Sequence, residues 1–183
     1  MPVIVSMLRG VNVGGHHRIR MDDLRALYES LELRNPLTYI QSGNVVFRSE
    51  ERSPGRLAAR IEDAIERRFA FRPSVILRTA SELRDAVARN PFAGRGVNPA
   101  KLLVMFLAGE PDREARAKAL QIRTAPEEMS IGGREIYIHY PNGMGRSKLV
   151  WTAVEKLLET AATGRNWNSV TRLLEMAEEL EAA

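Results

Sequence analysis

The chain has 183 residues, of which 44% are hydrophobic and 27% are charged. This composition is typical of a folded globular protein and excludes a disordered chain. The chain has no cysteine, which excludes disulfides, thiol nucleophiles and thiolate metal sites. No stretch approaches the ~20 apolar residues of a membrane span, and the apolar run at residues 2–8 is too short for a signal sequence. We therefore expect a cytoplasmic protein.

The charge balance gives only a weak indication of a partner. The formal net charge is +4, and arginine accounts for 23 of the 27 basic residues. A basic surface favours nucleic acid because it releases counterions from the phosphate backbone. Most of these arginines, however, stand beside Glu and Asp in segments with helical periodicity, where solvated ion pairs explain them.

Periodicity in the first half predicts alternating strands and helices. A buried strand is expected over 3–9, and Asp22 and Asp23 mark the first turn of a helix that begins near Met21. Strands over 37–41 and 44–48 are joined by a two-residue Ser42-Gly43 turn. Ser53-Pro54 opens a second helix, and residues 74–78 give a fourth strand.

The second half repeats this order of elements. A helix starts from the T-x-x-E capping box of Thr79 to Glu82 and ends before Pro91. There follow a strand over 101–107, a helix over 111–122, a hairpin turning at Gly132-Gly133, a helix from Ser147, and a last helix from about Asn166. We predict an α+β protein of two related ferredoxin-like βαββα units, with antiparallel sheets and helices packed on one face. The expected divisions are 1–90, a glycine-rich linker at 91–100, and 101–183.

Four polar loops stand out between these elements. They are R-G-V-N-V-G-G at 9–15, Q-S-G-N at 41–44, P-N-G-M-G-R-S-K at 141–148 and G-R-N-W-N at 164–168. Glycine lets backbone N–H groups approach a ligand, amides read hydrogen-bond patterns, and Arg or Lys binds anions. The candidate ligand-binding residues are Arg9, Asn12, Gly14, Gly15, Gln41, Ser42, Asn44, Tyr140, Asn142, Gly143, Gly145, Arg146, Ser147, Lys148, Arg165 and Asn166. We expect the first and third loops to converge on one site.

Two of these loops carry specific expectations, each with a simpler alternative. Gln41 is expected to face Asn44 across the first hairpin, where the paired amides either read a ligand or only satisfy the hairpin end. The segment from Tyr140 to Lys148 is predicted to contain the end of a strand, a glycine turn and a helix start at Ser147. Such an arrangement would direct free N–H groups and two cations at an anion. The spacing is not that of a P-loop, and the alternative is an Asn-Gly turn followed by a Ser147 N-cap.

Other catalytic and metal templates are missing. The sequence has no G-x-S-x-G and no H-E-x-x-H motif, and its three histidines, His16, His17 and His139, are too scattered to predict a metal site. The adjacent His16 and His17 are interpreted as a solvated loop. Tyr137 and His139 are expected on the polar face of the second hairpin, where they could stack on a ligand, and Trp167 is interpreted as a packing anchor.

The motifs together resemble a known bacterial family. L-R-G-V-N-V-G-G at 8–15, T-Y-I-Q-S-G-N-V-V-F at 38–47, Y-P-N-G-M-G-R-S-K-L at 140–149 and T-G-R-N-W-N-S-V at 163–170 are similar to those of the domain of unknown function 1697. The chain departs from the family's commoner residues at His16, His17 and Gly164. The resemblance implies a two-part α+β fold with ferredoxin-like halves, and it implies no established activity and no cofactor.

Three classes of function remain open. The first is a site for an anionic small molecule, phosphorylated or nucleotide-like, whether or not a reaction is catalysed there. The second is single-stranded nucleic-acid binding on a sheet face, against which stands the lack of an RNP1 pattern at 44–48. The third is a protein-interaction module whose loops are only structural. The sequence alone identifies neither the ligand nor the oligomeric state.

Overall fold

The computed structural model describes residues 1–147, 149 and 151–183. The described chain divides into two compact units. Unit 1 comprises Met1–Asp85 together with Arg172–Ala183, and unit 2 comprises Ala86–Thr171. Together they contain two four-stranded antiparallel sheets and six α-helices in the described residues, which confirms the α+β class.

Unit 1 is built around the first sheet. Its elements are β1 (Val3–Leu8), α1 (Met21–Ser30), β2 (Arg34–Tyr39), β3 (Asn44–Arg48), α2 (Pro54–Phe69), β4 (Val75–Thr79) and most of α3 (Ala80–Ala88). The strand order is β2-β3-β1-β4, with every pairing antiparallel. The β-α-β-β-α-β connection is therefore that of a split βαβ unit.

The core of unit 1 lies between the sheet and its first two helices. Buried residues of the strands, such as Leu8 and Phe47, pack with Leu24 of α1 and Ile61 of α2. Because the helical residues recur every three or four positions, each helix presents one apolar stripe to the sheet. α2 begins where predicted, since the Ser53 side chain accepts a hydrogen bond from the backbone N–H of the residue three positions on.

Unit 2 contains the second sheet. Its elements are β5 (Leu102–Leu107), α4 (Arg113–Leu120), β6 (Glu128–Gly132), β7 (Glu135–His139), α5 (Trp151–Leu158), β8 (Ala162–Asn166) and the start of α6 (Trp167–Ala182). The strand order β6-β7-β5-β8 repeats that of unit 1. Ile136 and Ile138 pack into the core of this unit together with Met129 and Ile131.

β8 is a strand that the sequence reasoning missed. The sequence predicts a polar loop at 164–168, but Ala162–Asn166 pairs with β5 from Leu103↔Asn166 to Leu107↔Ala162. The A-T-G-R-N sequence has no alternating apolar pattern, and glycine is unfavourable inside a strand. Pairing with β5 therefore makes this segment a strand. It completes the β-α-β-β-α-β order in unit 2.

Both predicted hairpin turns are displaced. In the first hairpin Tyr39 pairs with Asn44, so the loop comprises the four residues 40–43 rather than Ser42-Gly43. Gln41 therefore lies in the turn and does not face Asn44, contrary to the prediction. In the second hairpin Gly132 pairs with Glu135, which moves the two-residue turn by one position, to 133–134. Gly133 has φ +59° there, a conformation that glycine adopts without strain.

The predicted helix start at Ser147 is wrong. Met144–Arg146 forms a short 3-10 turn, Ser147 is extended at φ −77° and ψ 141°, and α5 begins at Trp151. The Ser147 hydroxyl accepts a hydrogen bond from Leu149 N at 3.1 Å. Since α5 begins only at Trp151, this bond closes a turn and does not cap the helix.

The segment at 91–100, predicted as a linker, lies within unit 2. Phe92 is buried there, and Arg95 donates to both carboxylate oxygens of Glu128 at 2.9–3.1 Å. The unit boundaries fall inside two helices instead, within α3 after Asp85 and within α6 after Thr171.

Candidate functional site

The loop between β1 and α1, residues 9–20, is closed by the side chain of Asn12. Its Nδ2 donates to the carbonyl oxygens of Ile19 at 3.0 Å and Gln41 at 2.7 Å, and its Oδ1 accepts from Ile19 N at 2.9 Å. The Asn12 backbone N–H donates to His17 O at 3.1 Å. The amide that was predicted to contact a ligand therefore fastens the loop to the 40–43 turn.

Asn44 has a comparable role at the base of this turn. Its side chain is fully buried, and Nδ2 donates to Tyr39 O at 3.1 Å and to Ser42 Oγ at 2.9 Å. Gln41, by contrast, is exposed at the turn. The geometry of Asn44 matches the simpler alternative, in which the amide satisfies the hairpin end.

A surface cleft of about 500 Å³ lies between the 9–20 loop and the turn. It is lined by Asn12, Gly15, Arg18, Ile19, Arg20, Asp23, Gln41 and Phe69. Arg18 and Arg20 are exposed on either side of the buried Ile19. Within the described residues, neither guanidinium has a hydrogen-bond or ion-pair partner. The cleft thus presents two unpaired positive charges.

Backbone donors lie in the same loop. Gly14 and Gly15 have φ values of +60° and +78°, and neither N–H donates a backbone hydrogen bond in the part of the chain that the structure describes. Both residues are exposed. Arg9, at the start of the loop, is exposed and donates its own backbone N–H to Ser74 O at 3.0 Å. Four predicted residues, Asn12, Gly14, Gly15 and Gln41, therefore belong to one loop-and-turn assembly.

His17 makes an aromatic contact that the sequence reasoning missed. Its ring stacks on Phe71, with the ring centroids 4.3 Å apart and the planes inclined by 6°. His17 has φ +51° and remains exposed. The interpretation of His16 and His17 as a solvated loop is therefore incomplete for His17, because its stack on Phe71 helps to hold the end of the loop in place.

The second group of candidate residues lies in unit 2, around the segment that follows β7. Gly143 N donates to Tyr140 O at 2.9 Å, and Lys101 Nζ donates to Pro141 O at 3.0 Å. These bonds form a compact turn at Gly143, which has φ +82°. Asn142, Gly145 and Arg146 are exposed, whereas Tyr140 is buried. Lys148 lies outside the described residues.

The side chains of Arg165 and Asn166 form hydrogen bonds with neighbouring residues of the chain. The Arg165 guanidinium donates to Thr163 Oγ1 and to Gly164 O, each at 2.8 Å, and its burial lowers its pKa to about 10. The Asn166 side chain accepts a hydrogen bond from Ser169 N at 2.9 Å and so caps α6.

The two groups belong to different units, since Asn12 lies in unit 1 and Asn142 in unit 2. Their convergence on one site remains a prediction. Residues of the cleft that were not anticipated are Arg18, Ile19, Arg20, Asp23 and Phe69. Arg18 and Arg20 had a signal in the sequence, because the R-I-R pattern at 18–20 puts two cations on the side opposite an apolar residue.

The residues described by the structure include no helix long and apolar enough to cross a membrane. Over the same residues, no group of three or more His, Asp or Glu side chains is arranged to hold a metal ion.

Comparison with known proteins gives a family without an assigned role. The family described as "Protein of unknown function (DUF1697)" matches residues 1–137, and the chain belongs to it. A solved structure, described as that of the conserved bacterial protein SP0830 from Streptococcus pneumoniae, superposes with a TM-score of 0.80 at 20% sequence identity. The match covers 97% of this chain and 99% of the other, and it shows a shared fold. No match was found among curated proteins.

Proposed function

We propose that unit 1 binds an anionic small molecule, phosphorylated or nucleotide-like, in the cleft between the 9–20 loop and the 40–43 turn. The observation that supports this is the pair of exposed guanidiniums, Arg18 and Arg20, that line the cleft and have no partner in the described residues. Arginine binds phosphate and carboxylate groups through paired N–H donors. The free N–H groups of Gly14 and Gly15 add neutral donors to the same loop.

The nearby carboxylates do not cancel this positive charge. Asp22 forms an ion pair with Arg25, and Asp23 lies 3.7 Å from Arg68. Each acid at the start of α1 thus has a cation of its own. The charges of Arg18 and Arg20 remain in excess, and an anion is the ligand that complements them.

The loop is held in place before any ligand arrives. The hydrogen bonds of Asn12 tie it to Ile19 and to the turn, and the His17–Phe71 stack holds its end. A ligand therefore does not have to order the loop, which reduces the entropic cost of binding.

The decisive experiment is a comparison of two double variants that remove the same charge. Arg18→Gln with Arg20→Gln changes the cleft, whereas Arg52→Gln with Arg56→Gln removes two exposed arginines that do not line it. Binding of inorganic phosphate and of AMP would be measured by calorimetry. A hydrogen bond to a charged group contributes roughly 1.5–3 kcal/mol, so we expect at least a tenfold loss of affinity in the first variant alone. Equal loss in both variants, or no binding to the wild-type protein, would contradict the proposal.

Nucleic-acid binding on a sheet face is less well supported. Both faces of the first sheet are buried, since Phe47 on the helix side and Val5 and Val46 on the other side are each 0% exposed. Recognition of single strands by a sheet needs exposed aromatic rings. Binding of a short oligonucleotide with steep salt dependence, left unchanged by the cleft variant, would favour this alternative.

A further inference from the structure

The cleft of unit 1 also contains two groups that do not suit a phosphate. They are the aromatic ring of Phe69 and the carboxylate of Asp23, which line the same space as Arg18 and Arg20. A phosphate group is bound by cations and N–H donors, so it gains nothing from an apolar ring or from a second anion. The ring and the carboxylate therefore indicate that the ligand has an uncharged part beside its anionic group.

Phe69, the last residue of α2, provides an aromatic surface in the cleft. The ring is half-buried against the core of unit 1, which restricts its orientation. The guanidinium carbon of Arg68 lies 5.5 Å from the centroid of this ring. Planar bases stack on aromatic rings and on guanidinium groups. Phe69 with Arg68 is therefore suited to the flat face of a heterocycle.

Asp23 provides hydrogen-bond acceptors next to this surface. Its Oδ1 lies 3.7 Å from Arg68 Nη2, which compensates the charge but is too far for a hydrogen bond. Within the part of the chain that the structure describes, the Asp23 carboxylate accepts no hydrogen bond. The neighbouring Asp22, which does not line the cleft, accepts one from Arg25. The lone pairs of Asp23 are therefore available to a ligand.

The aromatic ring, the carboxylate and the two unpaired cations lie close enough to serve one ligand. Arg68 contacts both Phe69 and Asp23, so these two side chains are neighbours. The cleft has a volume of about 500 Å³. Small-molecule sites usually have roughly 300–1,000 Å³, and a mononucleotide fits within this range.

We infer that the ligand of the cleft is a guanine nucleotide, with its phosphate on Arg18 and Arg20, its base against Phe69 and the edge of the base on Asp23. A carboxylate only accepts hydrogen bonds. Guanine presents two adjacent donors, N1–H and the 2-amino group, which match the two oxygens of one carboxylate. Adenine has an acceptor at N1 instead. The inference rests on the proposed function, because it names the ligand of the same site.

The test compares GMP, IMP, AMP and ribose 5-phosphate by calorimetry on the full-length protein. GMP should bind at least tenfold more tightly than AMP, because a two-bond contact to a base edge discriminates to that degree. IMP, which lacks the 2-amino group, should lie between them, and ribose 5-phosphate should bind most weakly. If AMP binds as tightly as GMP, the inference is wrong and the anion site stands. If none of the four binds, the proposed function itself fails.

A matched pair of variants tests the role of Asp23. Asp23→Asn should reduce the preference for GMP over AMP to less than threefold, because the amide replaces one acceptor by a donor. Asp22→Asn removes the same charge one position away and outside the cleft, so it should keep the full preference. Since Asp23 is 43% exposed, the substitution does not disturb the core. An unchanged preference in Asp23→Asn would overturn the inference.

A third variant tests stacking on the ring. Phe69→Leu keeps an apolar side chain and removes the aromatic surface. It should weaken GMP and AMP at least fivefold and leave ribose 5-phosphate within twofold of wild type, because only the nucleotides have a base to stack. An equal loss for ribose 5-phosphate would show that Phe69 only supports the walls of the cleft, and would contradict the stacked base. The comparison of Asp23 with Asp22 does not depend on this variant.

Discussion

Gly43 lies at φ +81° in the turn of the first hairpin, and its surroundings leave no room for a side chain. A Cβ at this position would stand 2.9 Å from Leu8 Cβ and 3.4 Å from Val11 Cβ. A positive φ alone costs a residue with a Cβ about 1–3 kcal/mol. At Gly43 the contact with Leu8 adds to this, since a methyl group cannot fit at that distance.

We therefore expect Gly43→Val to destabilise the protein by roughly 2–4 kcal/mol, from strain and overpacking together. Urea denaturation would measure the change. Gly10→Ala is the informative comparison beside Gly43→Ala, because Gly10 has φ +69° but no atom within 4 Å of the added Cβ. Equal losses in these two alanine variants would show that the contact with Leu8 contributes nothing.

At the scale of elements, the start of α3 shows how a local motif determines a boundary. Thr79 N donates to Glu82 Oε2 at 2.9 Å, and Glu82 N donates to Thr79 Oγ1 at 3.1 Å. This is the reciprocal pair of a capping box. The T-x-x-E prediction is therefore confirmed. The sequence could predict this boundary because both partners lie within one turn of the helix.

Thr79→Ala should cost about 1 kcal/mol of unfolding free energy, since it leaves a first-turn N–H without its acceptor. Glu82→Ala removes the other half of the box. The double variant should lose less unfolding free energy than the sum of the losses in the two single variants, because each hydrogen bond positions a residue that takes part in the other. Strict additivity in chemical denaturation would show that the two bonds act independently.

β8 shows the opposite case, in which a distant contact determines an element. A Cβ at Gly164 would lie 2.6 Å from Met105 Sδ and 3.3 Å from Leu103 Cδ1. The close approach of β8 to β5 thus matches a glycine in one strand to large side chains in the other. A threonine at this position would need a smaller or displaced neighbour at Met105.

At the scale of the whole molecule, the last twelve residues of the chain, Arg172–Ala183, belong to unit 1. Leu173, Met176, Ala177 and Leu180 are buried. Arg48 of β3 donates to the carbonyl oxygens of Leu180 and Ala183, and Arg84 pairs with Glu178 and Glu181. Unit 1 is therefore completed by the end of the chain.

We expect Leu173→Ala to destabilise the protein by about 2–5 kcal/mol, as deletion of a buried leucine usually does. We also expect the backbone amides of β1 and β3 to exchange their hydrogens faster, although these strands lie more than a hundred positions away in the sequence. Glu179→Ala, an exposed change on the same helix, should have an effect within about 0.5 kcal/mol. Unaltered exchange in β1 and β3 of the leucine variant would contradict this dependence.

The sequence by itself determined the elements whose signals are local. Residues within one or two turns of helix determine the apolar stripes of α1 and α2, the Ser53 cap and the capping box at Thr79. The family motifs could also be recognised from the sequence, because each motif is a contiguous stretch of chain.

Only the tertiary structure decided the features that depend on contacts between distant residues. The strand β8, the extended Ser147 before α5, the four-residue hairpin loop and the return of α6 to unit 1 all depend on neighbours far away in sequence. The same holds for the candidate sites. Whether an amide such as Asn12 bonds to a ligand or to another part of the chain is determined by what the fold brings within about 3 Å of it, and the spacing of residues along the chain does not record that.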